Sequence, residues 1–420
     1  MEEKIKKVKE ILQKYEQEHL LVNFDNLSEE KKEELLEQIL QINFKQMKEL
    51  YESVGKNKED SDIAIEPISY VEKATIEEKQ KQEFFENGEE ELKKGKLAVV
   101  TMAGGQGTRL GHNGPKGTFY LKVSPKAKSI FELLCDTLKR TNEKHGVSIP
   151  WYIMTSRENN NDTVKFFEEN NYFNYNKNDV KFFVQGELPM LSTSGKVLLN
   201  EQGIVKLAAD GHGGVFESMF KNGVVEDMKK RNIEWIFIGP VDNPLAGMVD
   251  EVLIGLCQEN NSMSAGKSLV KANPSEKVGV FCLKNGKPSV IEYTEISEEM
   301  ANRVNEKGEL IFGESHINCN MFNIKGIEKI GAEKLPYHVA FKKATYMDER
   351  GEIVNPQEPN AYKFESFIFD AFEKLDNMTI LRVKREEEFA PVKNAEGTDS
   401  PETAIKLYNT YHNQNWIFLF

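Results

Sequence analysis

The run Leu97-Ala-Val-Val-Thr-Met102 passes directly into Ala103-Gly-Gly-Gln-Gly-Thr-Arg-Leu-Gly111, and Pro115-Lys116 follows closely. The first six residues are apolar or β-branched and end at glycines, the pattern of a short buried strand. Gly104, Gly105 and Gly107 let the backbone approach a ligand and present several N–H groups, which bind anionic oxygens well. Arg109 and Lys116 add fixed positive charge in the same short segment. A tight strand-to-helix turn would also use glycine, but it gives no reason for the cations. Two familiar loops are excluded. The dinucleotide pattern fails because Leu110 stands where its last glycine belongs. The Walker pattern fails because Pro115 precedes Lys116 and Gly117 follows it.

Outward from this loop, strand and helix patterns alternate. Trp151–Thr155, Val180–Val184 and Trp235–Gly239 read as strands, and residues 129–145, 160–170 and 215–231 as helices. Such alternation predicts an α/β fold with a mainly parallel sheet, whose ligands sit at the carboxyl ends of the strands. Residues 276–293 read as paired strands turning at Asn285-Gly286. Residues 1–95 read as helical and charged. Ile5, Val8, Ile11, Leu12 and Tyr15 recur at helical spacing, and Ser28 suits the start of a second helix carrying Leu35, Leu36, Ile39 and Leu40. Packing on the main domain explains these helices more simply than a partner-binding arm. The expected organisation is a helical region over 1–95, an α/β core over 96–330 and a C-terminal region over 331–420, ending in apolar Trp416–Phe420.

The 420 residues are 39% hydrophobic and 29% charged, a globular balance, with a net charge of −13. An acidic surface repels polynucleotides, so nucleic acid is not an expected partner. A local cluster of Lys and Arg can still gather small phosphorylated ligands. Cys135, Cys257, Cys282 and Cys319 are scattered, which predicts free buried thiols rather than a disulfide framework or metal site. The first residues carry no apolar signal core, and no run approaches the ~20 residues that span a bilayer. A cytoplasmic protein without a membrane partner is expected.

The loop, taken with Pro115-Lys116, resembles the signature of the UDP-sugar pyrophosphorylases, the eukaryotic-type uridylyltransferases. Pro150–Ser156, Asn170–Phe173, Phe183–Pro189, Val241–Asn243, Val278–Val280, Val290–Tyr293 and Glu388–Ala395 resemble further family segments, in family order. The resemblance implies a Rossmann-like nucleotide-binding core between an N-terminal helical region and a smaller C-terminal domain. It implies that UTP and a sugar 1-phosphate give a UDP-sugar and pyrophosphate, with Mg2+ as cofactor. Ala103, Gly104, Gly105, Gly107 and Arg109 would then wrap the nucleotide. Gln185 and the Gly211 backbone would read the uracil edge. Lys116, Lys363 and Lys393 would reach phosphates, and Asp242 would meet the metal. Gly279, Glu292 and Tyr293 would line the sugar side. Arg109, Lys116 and Lys393 are the residues expected to drive the chemistry.

Two positions depart from the family pattern. His212, in Asp210–Gly214, stands where the N-acetylglucosamine enzymes commonly carry Asn and the glucose enzymes Gly-His-Gly, and His316, in Glu314–Phe322, stands near the position of an expected Asn. Both fall on the sugar side. The remaining segments favour that branch, with glucose 1-phosphate as the alternative substrate and a catalytically silent nucleotide-sugar sensor as the alternative of a different class. The reaction needs no general base, because the attacking sugar phosphate is already anionic. Its difficulty is to gather two polyanions and neutralise charge at the transferring phosphoryl group.

Overall fold

A computed structural model describes residues 1–55 and 63–416, so residues 417–420 of the apolar C-terminal stretch lie outside the described residues. The chain forms two compact units. The smaller comprises Met1–Asp62, Gly186–Gly214 and Leu335–Phe367; the larger comprises Ile63–Gln185, Val215–Lys334 and Ile368–Phe420.

The larger unit is built on one sheet with eleven strands among the described residues. In chain order they are β1 (Ile65–Pro67), β2 (Val71–Glu72), β3 (Leu97–Met102), β4 (Trp151–Thr155), β5 (Val180–Val184), β6 (Trp235–Pro240), β7 (Ser264–Val270), β8 (Val280–Lys284), β9 (Lys287–Ile291), β10 (Glu314–Asn323) and β11 (Thr379–Arg382). The main path runs β2-β11-β7-β10-β6-β3-β4-β5. The β8–β9 hairpin joins through β10, and β1 pairs with β8.

From β6 through β3 and β4 to β5 every pairing is parallel, whereas β10 runs antiparallel to β6 and β7. The chain builds β3, β4 and β5 outward, then returns to place β6 on the free side of β3. That reversal is a topological switch point, where ligands bind beyond the carboxyl ends of the strands. All of β3 and β4 is buried, and the Trp151 indole N–H donates to Thr101 Oγ1 at 2.8 Å across the pair.

Ser129 caps the helix Ile130–His145 by accepting from the Glu132 N–H, and left-handed Gly146 ends it. Residues 215–231 form two helices rather than the single expected one, Val215–Lys221 and Val224–Lys230, broken where Gly223 adopts φ +68°. The expected hairpin turn is present, with Asn285 and Gly286 both at positive φ. The helices Glu78–Lys93 and Glu251–Glu259 cross closely, because a Cβ on Gly88 would lie 1.9 Å from the Glu251 carbonyl oxygen.

The smaller unit contains the helices Glu2–Lys14, Glu29–Gln41 and Phe44–Ser53. Ser28 caps the second of them. Val8, Leu12, Leu35, Leu36 and Ile39 form a core with Leu191, Val197, Leu199 and Phe364. A three-stranded sheet explains this grouping: Ala361–Glu365 pairs with both His338–Lys342 and Leu191–Ser192. The units therefore divide the chain differently from the three expected blocks. Residues 63–95 belong with the α/β core, whereas 186–214 and 335–367 join the N-terminal helices.

All four cysteines are free and buried, as expected. Burial pushes the thiols of Cys135, Cys282 and Cys319 up to about 12, and that of Cys257 upward too, so they stay protonated. No described helix is long and apolar enough to cross a membrane.

Candidate functional site

The glycine-rich loop leaves the carboxyl end of β3, and Asp242 leaves the carboxyl end of β6 beside it. Met102 pairs with Pro240, and the Val241 N–H donates to the Met102 carbonyl at 3.1 Å. The two ends meet through their side chains: Lys116 Nζ lies 3.3 Å from Asp242 Oδ2, with each side chain about one-fifth exposed (18% and 19%). The switch point thus brings together Ala103, Gly104, Gly105, Gly107, Lys116 and Asp242.

The loop is closed on itself. The Gly107 N–H donates to the Gly114 carbonyl at 2.9 Å, and the Lys116 N–H to the Gly105 carbonyl at 3.0 Å. Arg109 sits on an exposed 3-10 turn, Thr108–Leu110, and no ion pair engages it among the described residues. A Cβ on Gly104 would lie 2.7 Å from Gln185 Oε1, so the Gln185 carboxamide reaches the loop from the end of β5. Its backbone N–H is held by the Thr155 carbonyl at 2.8 Å.

Sequence reasoning missed Asn159, which is fully buried beneath the loop. Its Nδ2 donates to the Ala103 carbonyl at 2.9 Å and the Gly105 carbonyl at 3.4 Å, while its Oδ1 accepts from the Ser156 N–H at 2.9 Å. These bonds hold the Ala103 and Gly105 carbonyls toward Asn159. No signal in one sequence separates Asn159 from its neighbour Asn160. Gly117 was also missed. Next to Lys116, it packs flat on Phe131, and a Cβ there would fall 2.2 Å from the ring.

Lys393 arrives at the same edge from the C-terminal part. The Val392 N–H donates to the Asp242 carbonyl at 2.8 Å, and the Lys393 N–H to the Asp399 carbonyl at 2.7 Å. The Lys393 side chain is exposed, with Nζ 5.7 Å from the centre of the Phe389 ring.

Gly279, Glu292 and His316 form a second cluster. The His316 N–H donates to the Gly279 carbonyl at 2.8 Å, and a Cβ on Gly279 would lie 3.2 Å from Glu292 Oε1. Tyr293 follows, 44% exposed. Since β10 is antiparallel to β6 with Ile238 opposite Asn320, His316 lies toward the sheet end occupied by Asp242. Its ring is edge-on to Phe281, Phe369 and Phe372, and Nε2 is 3.1 Å from Asn320 Oδ1.

The other three expected residues belong to the smaller unit. Gly211 adopts φ +86°, and a Cβ there would meet the Ser366 carbonyl oxygen at 2.3 Å. His212 stacks on Phe367 at 5.4 Å, and His338 also stacks on that ring, at 4.5 Å. Lys363 pairs with Glu365 at 2.7 Å.

The chain is similar to known proteins along most of its length. It is 36% identical to a probable UDP-N-acetylglucosamine pyrophosphorylase of Dictyostelium discoideum, covering 94% of this chain and 85% of the relative. It is also 36% identical to the UDP-N-acetylglucosamine pyrophosphorylase of Saccharomyces cerevisiae, with 93% and 87% covered. Among solved structures it resembles the uridine diphosphate N-acetylglucosamine pyrophosphorylase of Trypanosoma brucei in complex with inhibitor. The TM-score is 0.86 at 28% identity, with 100% of this chain and 86% of that one covered. The model of one family matches residues 42–414, and the chain therefore belongs to that family, described as UTP–glucose-1-phosphate uridylyltransferase.

Proposed function

We propose that this protein is a uridylyltransferase that joins UTP to N-acetylglucosamine 1-phosphate, releasing pyrophosphate. The observation that carries the reading is the meeting of Lys116 and Asp242 across the switch point, beneath a glycine loop with a carboxamide, Gln185, at its entrance. The family membership and the relatives' names support the reaction class and the N-acetylhexosamine branch. Gln185 has the donor and acceptor needed to read a uracil edge. The loop's N–H groups suit a triphosphate. Arg109, Lys116 and Lys393 supply the charge that offsets two substrates repelling one another. Gly279, Glu292, Tyr293 and His316 form the sugar side. The reading draws only on residues of the larger unit.

Mg2+ fits this donor set. Among the described residues no cluster of three or more His, Cys, Asp or Glu side chains forms a metal site alone. Mg2+, however, is commonly held by one or two carboxylates together with substrate phosphates. Asp242 is the residue that would hold it, and the ion would supply charge neutralisation at the phosphates.

The test is pyrophosphate release from UTP with N-acetylglucosamine, N-acetylgalactosamine and glucose 1-phosphates, with and without a chelator. The expected result is a preference in kcat/KM for N-acetylglucosamine 1-phosphate, chelator sensitivity, and a Lys116→Ala variant slowed by roughly 10²–10³-fold. A preference for glucose 1-phosphate would overturn the choice of sugar. No release with any substrate would overturn the reaction.

A further inference from the structure

Asn243 follows Asp242 directly and is fully buried. Its carboxamide grips the backbone of the C-terminal segment that leads to Lys393. Nδ2 donates to the Glu388 carbonyl at 2.7 Å, and Oδ1 accepts from the Ala390 N–H at 2.9 Å. Oδ1 also accepts from the Leu245 N–H at 3.3 Å. Two residues further on, the Val392 N–H closes on the Asp242 carbonyl at 2.8 Å. A second tie lies beside the first. Glu388 is held by Lys267 Nζ at 2.7 and 2.9 Å, and it accepts from the Gly247 N–H at 2.9 Å. Residues 388–392 are therefore bound along their length to residues 242–247, and Lys393 is the first residue to emerge into solvent.

From this geometry we infer that Asn243 is a positioning residue, whose carboxamide sets the register of the 388–392 segment so that Lys393 stands beside Asp242. A neutral side chain suits the task. It offers one donor and one acceptor to a backbone, and it adds no charge next to an acidic group that must face phosphate. The inference rests on the role given to Lys393 above.

The experiment compares Asn243→Ala, Lys393→Ala and the double variant in the full chain, by pyrophosphate release from UTP and N-acetylglucosamine 1-phosphate. UTP binding is followed by calorimetry. Asn243→Ala is expected to lower kcat roughly 10–100-fold, since small misplacements of a catalytic group carry losses of that order. UTP affinity should stay within about twofold, and the double variant should be no slower than Lys393→Ala alone, because both changes remove one function. A wild-type kcat for Asn243→Ala beside a slow Lys393→Ala overturns the positioning role alone. Losses that multiply in the double variant also overturn it. A fully active Lys393→Ala overturns both this role and the reading beneath it. Should Asn243→Ala not fold, Asn243→Asp keeps the acceptor for Ala390 and loses the donor to Glu388. An intermediate kcat there supports the role, and an unchanged kcat overturns it.

Discussion

Replacing Lys267 by Met removes the charge at the centre of a buried polar cluster of the α/β unit. Lys267 is 1% exposed, and its Nζ has four oxygens in reach: Gly247 O at 2.9 Å, Glu388 Oε1 at 2.7 Å, Glu388 Oε2 at 2.9 Å and Asp250 Oδ2 at 2.9 Å. The two carboxylates fare differently when it goes. Asp250 keeps Lys73 at 2.7 Å and the Leu253 N–H at 3.2 Å. Glu388 keeps the Gly247 N–H at 2.9 Å, and its side chain is 11% exposed. One carboxylate is thus left buried without a cation. Breaking one side of a buried pair costs about 3–5 kcal/mol, because the stranded charge stays out of water. The expected loss in Lys267→Met is therefore about 4 kcal/mol, read from urea unfolding followed by the fluorescence of Trp151 and Trp235, both buried in this unit. Lys267→Met/Glu388→Gln removes the stranded charge and should regain more than half of that loss. A single variant within about 1 kcal/mol of wild type would refute the reasoning, as would a double variant no more stable than the single.

Two further outcomes follow from the same geometry. Gly117→Ala forces a Cβ to 2.2 Å from the Phe131 ring, itself fully buried and 4.9 Å from the Phe167 ring. Overpacking of this kind costs about 1–3 kcal/mol and should displace Lys116, so both the thermal midpoint and kcat are expected to fall; unchanged values for both would contradict the packing. Burial, the largest influence on Asp250, pushes its carboxyl upward, but Lys267 and Lys73 together outweigh it and hold the group well below its ordinary 3.8. A depressed carboxyl contributes stability that is complete above pH 3.8 and is lost as the pH falls below that value. Asp250→Asn should therefore narrow its stability gap to wild type as the pH drops from 5 toward 3, and a gap that widens would show the sign to be wrong.

The half of the sheet that carries the site could be read from sequence because its signals are local. β3, β4, β5 and β6 are short apolar runs, and the glycine loop follows the first of them without interruption. The smaller unit could not be read in this way. Its three-stranded sheet joins Leu191–Ser192 to Ala361–Glu365, so the pairing partners are far apart in the chain and one of them is two residues long. No periodicity survives in so short a strand. The break between Val215–Lys221 and Val224–Lys230 is a different kind of miss. Asn222-Gly223 is an ordinary turn signal that the surrounding helical pattern outweighed. Asn159 and Asn243 show the limit most clearly. Their importance lies in which distant carbonyls they meet, and a single sequence does not record that.

A common logic links the residues that were legible with those that were not. The chain carries a net charge of −13, so any carboxylate added near the loop would compete with phosphate for Arg109, Lys116 and Lys393. Two carboxamides tie the candidate site's backbone, Asn159 under the loop and Asn243 under the C-terminal segment, and Gln185 reaches the loop beside them. Asp242 is the carboxylate facing Lys116. Asp250 and Glu388 lie beneath, where Lys267 pairs with both and Lys73 pairs with Asp250 as well. Behind the loop, charge is thus paired with lysine or replaced by a carboxamide at these positions, an arrangement that suits the proposed gathering of two polyanions by an acidic protein.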